Sequence, residues 1–400
     1  MNSFDLASYF QQSIGLNAQA WAEFVYENQA ALRSLDFEQA NLSKAAWQAL
    51  QEPAAWQSGL DLLSALWPYI ELSGKWLQWQ ELLEQALAVS RQAGQRDDEA
   101  YLLLKLGELA RILGDFPTAL ARQQSALDLW RELGDPLGTG RALVTMSQVY
   151  LATGNQVAAE SCCRDGIAIL QDLDAPGELA VGFNNLGIIC QEQGREDEAM
   201  AHYEQAAQLF QLTGNVRGQA KLANNLGRVY QSQAHLEQAA GCFQQAIVLY
   251  RQVGDDIHVA RTQVNLGIVL YENGQVGEAL ALHQEVEPVF RRLGDRPWTA
   301  RVVNNEGVFL QAMGRLAEAQ AAFEQAGRIY REIGDVPRAA QSLTNCADLQ
   351  LDFGRLAEAR AYLSRVDELI CSLSSPPRWV VEGHADQLAR LEVLTRAKAM

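Results

Sequence analysis

Residues 184–210 read NNLGIICQEQGREDEAMAHYEQAAQLF, and residues 224–250 read NNLGRVYQSQAHLEQAAGCFQQAIVLY. The two stretches begin 40 residues apart, and they share the tetrapeptide NNLG and a similar order of apolar and small residues. A fixed period of this length is typical of repeat proteins, in which one structural unit stacks on the next. Other positions recur with the same 40-residue period along the chain.

Glycine marks two turns in each period. One series comprises Gly94, Gly134, Gly214, Gly254, Gly294 and Gly334. A second series, displaced by 20 residues, comprises Gly74, Gly114, Gly154, Gly194, Gly274, Gly314 and Gly354, and the gaps hold Asp174 and Ala234. Glycine supplies the left-handed conformation at a helix C-terminus, and the Asp or Asn that often follows can cap the next helix. Two turns per period predict two helices of about 14 to 17 residues each.

Three further series predict how these helices pack. A small residue recurs in the apolar stripe of the first helix, at Gly107, Ser147, Gly187, Gly227, Gly267, Gly307 and Ala347. An alanine recurs in the second helix, at Ala119, Ala159, Ala199, Ala239, Ala279, Ala319 and Ala359. A large residue ends the second helix, at Trp130, Leu170, Phe210, Tyr250, Phe290 and Tyr330. We expect close helix pairs that stack into an all-α, right-handed superhelical solenoid, because one pair cannot bury its apolar faces alone.

This pattern resembles the tetratricopeptide repeat. The 40-residue spacing with GD or GN at the turn is similar to the long-loop subclass of spindle-orientation scaffolds, peptide-pheromone receptors and MalT-like regulators. We expect an N-terminal helical cap at 1–58, a degenerate repeat at 59–93, seven repeats at 94–373 and a C-terminal capping helix at 378–400. Six tryptophans before residue 80 are interpreted as a bulky cap core, with an exposed docking patch as the alternative.

The composition argues against a nucleic-acid-binding, membrane or secreted protein. The formal net charge of −17 and the pI near 4.8 predict a surface that repels nucleic acid and anionic membranes. The six cysteines are sparse, the chain start lacks a signal-peptide pattern, and no apolar run approaches the ~18 residues of a membrane span. We expect a complete cytoplasmic protein.

Motifs for chemistry are missing from the sequence. It contains no GxxxxGK[ST] motif, no HExxH motif and no paired Cys and His spacing. We therefore predict a protein that is not an enzyme and holds no metal or cofactor. Two polar residues, Gln263 and Glu306, interrupt the apolar stripe, and Glu306 stands where Leu186, Leu226 and Leu266 occur. We expect Glu306 to pair with a cation, with a locally opened repeat as the alternative.

The candidate site lies on the first helices. Asparagine recurs at one position in five consecutive repeats, at Asn185, Asn225, Asn265, Asn305 and Asn345. Lys221, Arg261 and Arg301 precede three of these by four residues, which places cation and amide on one helix face. Arg228 follows one turn further along. Asparagine costs several tenths of a kcal/mol inside a helix, roughly, so its repetition needs a separate reason.

A column of carboxamides could pair with the backbone of an extended peptide, and the cations would select acidic side chains. The arrangement is similar to the Arg and Asn columns of the spindle-orientation scaffolds and of chaperone-binding tetratricopeptide domains, and that resemblance implies a peptide site formed by the nine residues above. The alternative is that the asparagines join adjacent repeats while the cations are solvated.

We interpret the chain as a non-enzymatic scaffold or adaptor that binds an extended, acidic peptide of a protein partner in a concave groove, as a monomer or weak homo-oligomer. One alternative is a stand-alone regulatory arm, similar to the sensor region of MalT-like proteins, that controls a separately encoded effector. Another is a structural oligomer formed by end-to-end stacking.

Overall fold

The computed structural model describes residues 6–28 and 35–399, and within them it contains 19 α-helices and no strand. The helices are α1 Leu6–Glu27, α2 Gln39–Ala49, α3 Trp56–Ser73, α4 Trp76–Ala93, α5 Arg96–Ile112, α6 Phe116–Leu133, α7 Pro136–Ala152, α8 Gln156–Leu170, α9 Pro176–Glu192, α10 Glu196–Leu212, α11 Val216–Ser232, α12 Leu236–Gln252, α13 Asp256–Glu272, α14 Val276–Leu293, α15 Arg296–Ala312, α16 Leu316–Glu332, α17 Val336–Asp352, α18 Leu356–Cys371 and α19 Arg378–Ala399. The predicted all-α fold of stacked helix pairs is confirmed. Parts of the expected N-terminal cap, at 1–5 and 29–34, lie outside the described residues.

The turns occur where the glycine series predicted them. Every glycine of both series has a positive φ, between 64° and 82°. Ala234, which interrupts the second series, has a φ of 58° and is the one non-glycine residue with positive φ in the described chain. At the following position Asp115, Asn155 and Asp335 accept hydrogen bonds from backbone N–H groups of the next helix. The same local chemistry therefore ends one helix and begins the next.

Within a repeat, the two helices approach closely at the small residues. A Cβ added at Gly307 would lie 2.5 Å from Cε1 of Phe323, and one added at Gly107 would lie 2.7 Å from Cγ of Gln123. The alanines of the second helix, from Ala119 to Ala359, are completely buried. The predicted close contact between paired helices is confirmed, since only small side chains fit there.

The large residue that ends the second helix packs against the next repeat. A Cβ on Gly138 would overlap the ring of Trp130, which is 2% exposed. Phe290 is completely buried and stacks on Trp298, with ring centroids 5.5 Å apart. These contacts join consecutive repeats, as the sequence predicted.

The chain divides into two compact units. Unit 1 comprises Met1–Val229 and Gln245–Ile257. Its core runs from the N-terminal helices into the repeats and buries Trp56 and Trp79, with Trp21, Trp67 and Trp76 packed against its edge. Of the six N-terminal tryptophans, Trp47 is the most exposed, at 46%. The interpretation of a cap core holds for most of this group.

Unit 2 comprises Tyr230–Gln244 and His258–Met400. Its last helix, α19, packs on α17 and α18, where Leu391 is buried beside Ala347 and Leu363. Arg390 pairs with Asp348 and Asp352 of α17. No helix in the described part of the chain is both long and apolar enough to cross a membrane.

Candidate peptide-binding surface

In unit 1, the asparagine column lies between adjacent first helices. The Asn185 side chain is 3% exposed, and its Nδ2 donates to the carbonyl of Val144 and to Oγ of Ser147, each at 3.2 Å. Asn225 is 8% exposed, and its Nδ2 donates to Oδ1 of Asn184 at 3.0 Å. Both amides therefore connect one repeat to the repeat before it.

Unit 2 repeats this arrangement. Asn345 Nδ2 donates to Oδ1 of Asn304 at 3.4 Å, and Asn305 Nδ2 lies 3.3 Å from Nε2 of His283. His283 is completely buried, and burial lowers its pKa to about 4, so the neutral ring can accept this bond. Asn265 is half-buried on α13. The amide donors of four of the five asparagines are thus engaged between repeats, which favours the alternative interpretation of the column.

The predicted arginines of unit 2 converge on a tryptophan. The guanidinium carbon of Arg261 lies 5.2 Å from the Trp298 ring centroid, and that of Arg301 lies 4.7 Å from it. Arg261 Nη2 also donates to Oδ2 of Asp295 at 3.1 Å. Asp295 caps α15 by accepting from the backbone N–H of Trp298, so the cap and the arginine share one carboxylate. We call Arg261, Trp298 and Arg301 the arginine–tryptophan cluster.

Arg301 is exposed and Arg261 is about one third exposed, so both cations of the cluster reach solvent. A guanidinium over an indole face gains about 0.5 to 1 kcal/mol and has a defined orientation. Two oriented guanidinium groups can donate forked hydrogen bonds to carboxylates. The cluster is therefore chemically suited to acidic side chains.

In unit 1, Lys221 belongs to a second basic group. Arg217 Nη1 donates to Oε2 of Glu71 on α3, and its Nε donates to Oδ2 of Asp255 at 3.2 Å. Lys105 lies on α5 beside this pair and forms an ion pair with Glu108 at 3.1 Å. We call Lys105, Arg111, Arg217 and Lys221 the unit 1 basic cluster.

Charges in this cluster strongly influence one another. Burial alone would raise the pKa of Glu71, but Arg217, Lys221 and Lys105 hold it at about 2. The charge of Arg217, with burial as the second cause, lowers the pKa of Lys221 to about 8. Lys221 is nevertheless exposed, and its side chain forms no hydrogen bond or ion pair within the described part of the chain. The cluster is therefore electropositive and open to solvent at Lys221.

Arg228, the remaining predicted residue, is exposed on α11. Its charge acts on buried Tyr203 of α10, whose hydroxyl donates to Oε1 of Gln191 at 3.1 Å. Nothing in the contacts of Arg228 joins it to the unit 1 basic cluster.

Sequence reasoning missed Trp298, Arg217 and Glu71. Trp298 stands at the position of Gly138 and Gly218, so the 40-residue alignment contained a signal for it. Arg217 precedes Lys221 by four residues, which is a second signal. Glu71 has no such signal.

The expected cation partner of Glu306 is not found among the described residues. Its Oε1 is buried and has no hydrogen-bond partner in the structure. Burial raises the pKa of Glu306 to about 7, with a further contribution from Glu287, although Arg291 acts in the opposite direction. Burial therefore stabilises the protonated form of this carboxyl.

Among the residues with a described position, no group of three or more His, Cys, Asp or Glu side chains is arranged to hold a metal ion. The free cysteines Cys163 and Cys346 are buried, and burial raises the pKa of each thiol to about 12. These thiols are therefore protonated at neutral pH.

Family models of the tetratricopeptide repeat match residues 98–172, 178–252 and 301–366, and another model with the same description matches 259–286. These segments cover more than half of the chain. A curated relative, the photosystem I assembly protein Ycf3 of Parasynechococcus marenigrum (strain WH8102), is 29% identical over 118 residues. The match covers 29% of this chain and spans 65% of the relative's length.

Two solved structures are similar in fold. A signal transduction ATPase with numerous domains and a tetratricopeptide repeat sensor, from Pyrococcus horikoshii, has a TM-score of 0.64 at 13% identity and covers 94% of this chain and 55% of its own. A Rap protein complexed with competence and sporulation factor has a TM-score of 0.59 at 11% identity, covering 94% of this chain and 99% of its own.

Proposed function

Because the chain belongs to the tetratricopeptide repeat family, whose members are generally non-catalytic interaction modules, we propose that it is a scaffold or adaptor that binds an extended, acidic segment of a partner protein. The observation that carries this proposal is the arginine–tryptophan cluster. It places cations from two successive repeats around one indole at a solvent-exposed surface.

In this proposal the cations, and not the asparagine amides, bind the partner peptide. The NH2 groups of Asn185, Asn225, Asn305 and Asn345 already contact a neighbouring repeat. Arg261 and Arg301 are oriented by Trp298 and keep solvent access, so they would make the charge-assisted bonds to the partner. Lys221 would do the same in unit 1. Local basic clusters in a chain of net charge −17 would also steer an acidic segment towards them.

Selection of peptides tests the proposal. A phage-displayed library of random 12-residue peptides would be panned against the full chain, and the selected sequences should be enriched in Asp and Glu. The double variant Arg261→Gln/Arg301→Gln should bind a selected peptide about a hundredfold more weakly, because two charged hydrogen bonds are lost.

A matched control is Arg296→Gln/Arg331→Gln. It removes the same charge from exposed positions of α15 and α16 that do not contact Trp298. We expect its affinity to stay within about threefold of the wild type, as for exposed charges in general. Selected peptides without acidic residues, or equal losses in both double variants, would contradict the proposal.

The alternative, a regulatory arm that controls a separately encoded effector, could use the same surface. A scaffold and a regulatory arm differ in the consequence of peptide binding. For a regulatory arm, a selected peptide should alter the association of the chain with its effector, which co-elution with and without the peptide would reveal. For a scaffold, the peptide segment is itself the bound partner.

A further inference from the structure

The ion pair between Arg217 and Glu71 joins two helices that are far apart in sequence. Glu71 lies on α3 and Arg217 on α11, 146 residues later, with three complete helix pairs between them. Both side chains are mostly buried, at 18% exposure for Glu71 and 15% for Arg217. A carboxylate from elsewhere in the chain thus occupies the unit 1 basic cluster.

Within the described part of the chain, two cations of the cluster, Lys221 and Arg111, pair with no carboxylate. The ammonium of Lys221 forms no ion pair within the described chain, and Nε of Arg111 is buried without a hydrogen-bond partner. The charges of Arg217 and Arg111 both act on Lys221. Glu71 therefore interacts electrostatically with several cations of the cluster, although it forms a hydrogen bond only to Arg217 within the described chain.

We propose that the unit 1 basic cluster is a carboxylate-binding site, that Glu71 occupies it as an internal competitor, and that an acidic partner segment binds by displacing Glu71 from Arg217. This inference rests on the proposed function, since the same acidic segment is the ligand. It adds a regulatory contact to that function.

The geometry allows such an exchange. Arg217 keeps its bond to Asp255, whose side chain is completely buried, so the guanidinium stays oriented after Glu71 leaves. Glu71 is partly exposed and lies at the C-terminal end of α3, from which its side chain can turn into solvent. A segment with two carboxylates would pair with Arg217 and Lys221 together, whereas Glu71 supplies only one.

The test uses fluorescein-labelled hexaglutamate and the full chain, with binding followed by fluorescence anisotropy at low salt. Glu71→Gln should lower the Kd about tenfold, because the competing carboxylate is removed. Adding Lys221→Gln to that variant should reverse most of the gain. Glu358→Gln, an equal charge change at an exposed site of α18, should leave the Kd within about twofold.

A second control separates displacement from a general field effect. Glu108→Gln removes the same charge from the neighbourhood of the cluster, but Glu108 pairs with Lys105 rather than with Arg217. Its gain in affinity should be well below that of Glu71→Gln, and equal gains would overturn the displacement. If Glu71→Gln melts below the wild type, Glu71→Asp keeps the charge, shortens the reach to Arg217 and should shift the Kd in the same direction.

The possible failures are distinguishable. Wild-type binding that depends on Lys221 but is not tightened by Glu71→Gln would overturn the competitor role and leave the proposed function intact. If neither the wild type nor Glu71→Gln binds hexaglutamate, the inference is overturned. If the phage selection yields no acidic peptides, the proposed function is overturned.

Discussion

Arg217 and Glu71 form an ion pair that connects α11 to α3 across 146 residues of sequence. Contacts between consecutive helices recur throughout both units, but this pair is of a different kind, because it depends on how five successive helix pairs are arranged. It also brings a charged pair and the Asp255 carboxylate into a largely buried environment.

We expect Arg217→Met to destabilise the protein. The substitution removes the guanidinium that pairs with the largely buried carboxylates of Glu71 and Asp255, and breaking such a buried pair typically costs about 3 kcal/mol. Urea denaturation followed by circular dichroism measures the change in the free energy of unfolding. Arg296→Met, which breaks an exposed ion pair with Glu332, serves as control and should cost below about 1 kcal/mol. If the two substitutions lower the free energy of unfolding equally, the buried Arg217 pair contributes no more to stability than an exposed ion pair.

Glu306→Gln should stabilise the protein at alkaline pH and have little effect at acid pH. The folded-state pKa of about 7 lies above the ordinary value of 4.5, so the unfolded state loses its proton first as the pH rises. The penalty is absent below pH 4.5, grows between pH 4.5 and 7 and is then constant. We expect a gain of about 3 kcal/mol at pH 8 and none at pH 4. Urea denaturation at both pH values measures it, with Glu358→Gln as the exposed control, and a gain independent of pH would contradict this account.

Gly307→Ala should lower the free energy of unfolding by about 1 to 3 kcal/mol, because its Cβ would meet the ring of completely buried Phe323 at 2.5 Å. Gly277→Ala is the matched control. It lies in α14 with no atom within 4 Å of the added Cβ, so the better helix propensity of alanine should stabilise by about 0.5 to 1 kcal/mol. Thermal melting compares the two, and a stabilised Gly307→Ala would show that the helices can separate at no cost.

Asn225→Ala should destabilise the fold by about 1 to 2 kcal/mol, because it removes the buried amide that donates to Oδ1 of Asn184. A double-mutant cycle with Asn184→Ala should give a coupling of about 1 kcal/mol. Hexaglutamate affinity should change less than about twofold. Unchanged stability with lost affinity would instead support the first interpretation, in which the amide column binds the peptide.

The local structure of the repeats was readable from the sequence for a physical reason. A left-handed turn requires glycine, and a close helix contact requires a small residue, so each constraint leaves one residue type at one position. Ala234 shows that the place in the repeat determines the backbone conformation more strongly than the residue type, since φ is 58° there without glycine. The asparagine column was visible in the same way, but its period alone could not separate a peptide contact from a bond between repeats.

The Glu71 contact could not be predicted from the same pattern. Neighbours one period apart follow from the repeat itself, whereas contacts several repeats apart depend on the sum of small rotations between repeats. Trp298 is an intermediate case, because its place beside Phe290 follows from the period but its position between two arginines depends on side-chain conformations. Sequence reasoning therefore found Lys221, Arg261 and Arg301, but it missed Arg217 and the groups that these cations contact.

Several boundaries between helix pairs, such as those at Gly134 and Gly294, share one design: a residue of positive φ is followed by a polar cap, and a large side chain packs against the following pair. Boundaries of this kind are nearly interchangeable. Gene duplication or deletion in whole 40-residue steps between two such boundaries would leave them chemically matched, so a lineage could lengthen or shorten such a chain without redesigning its interior.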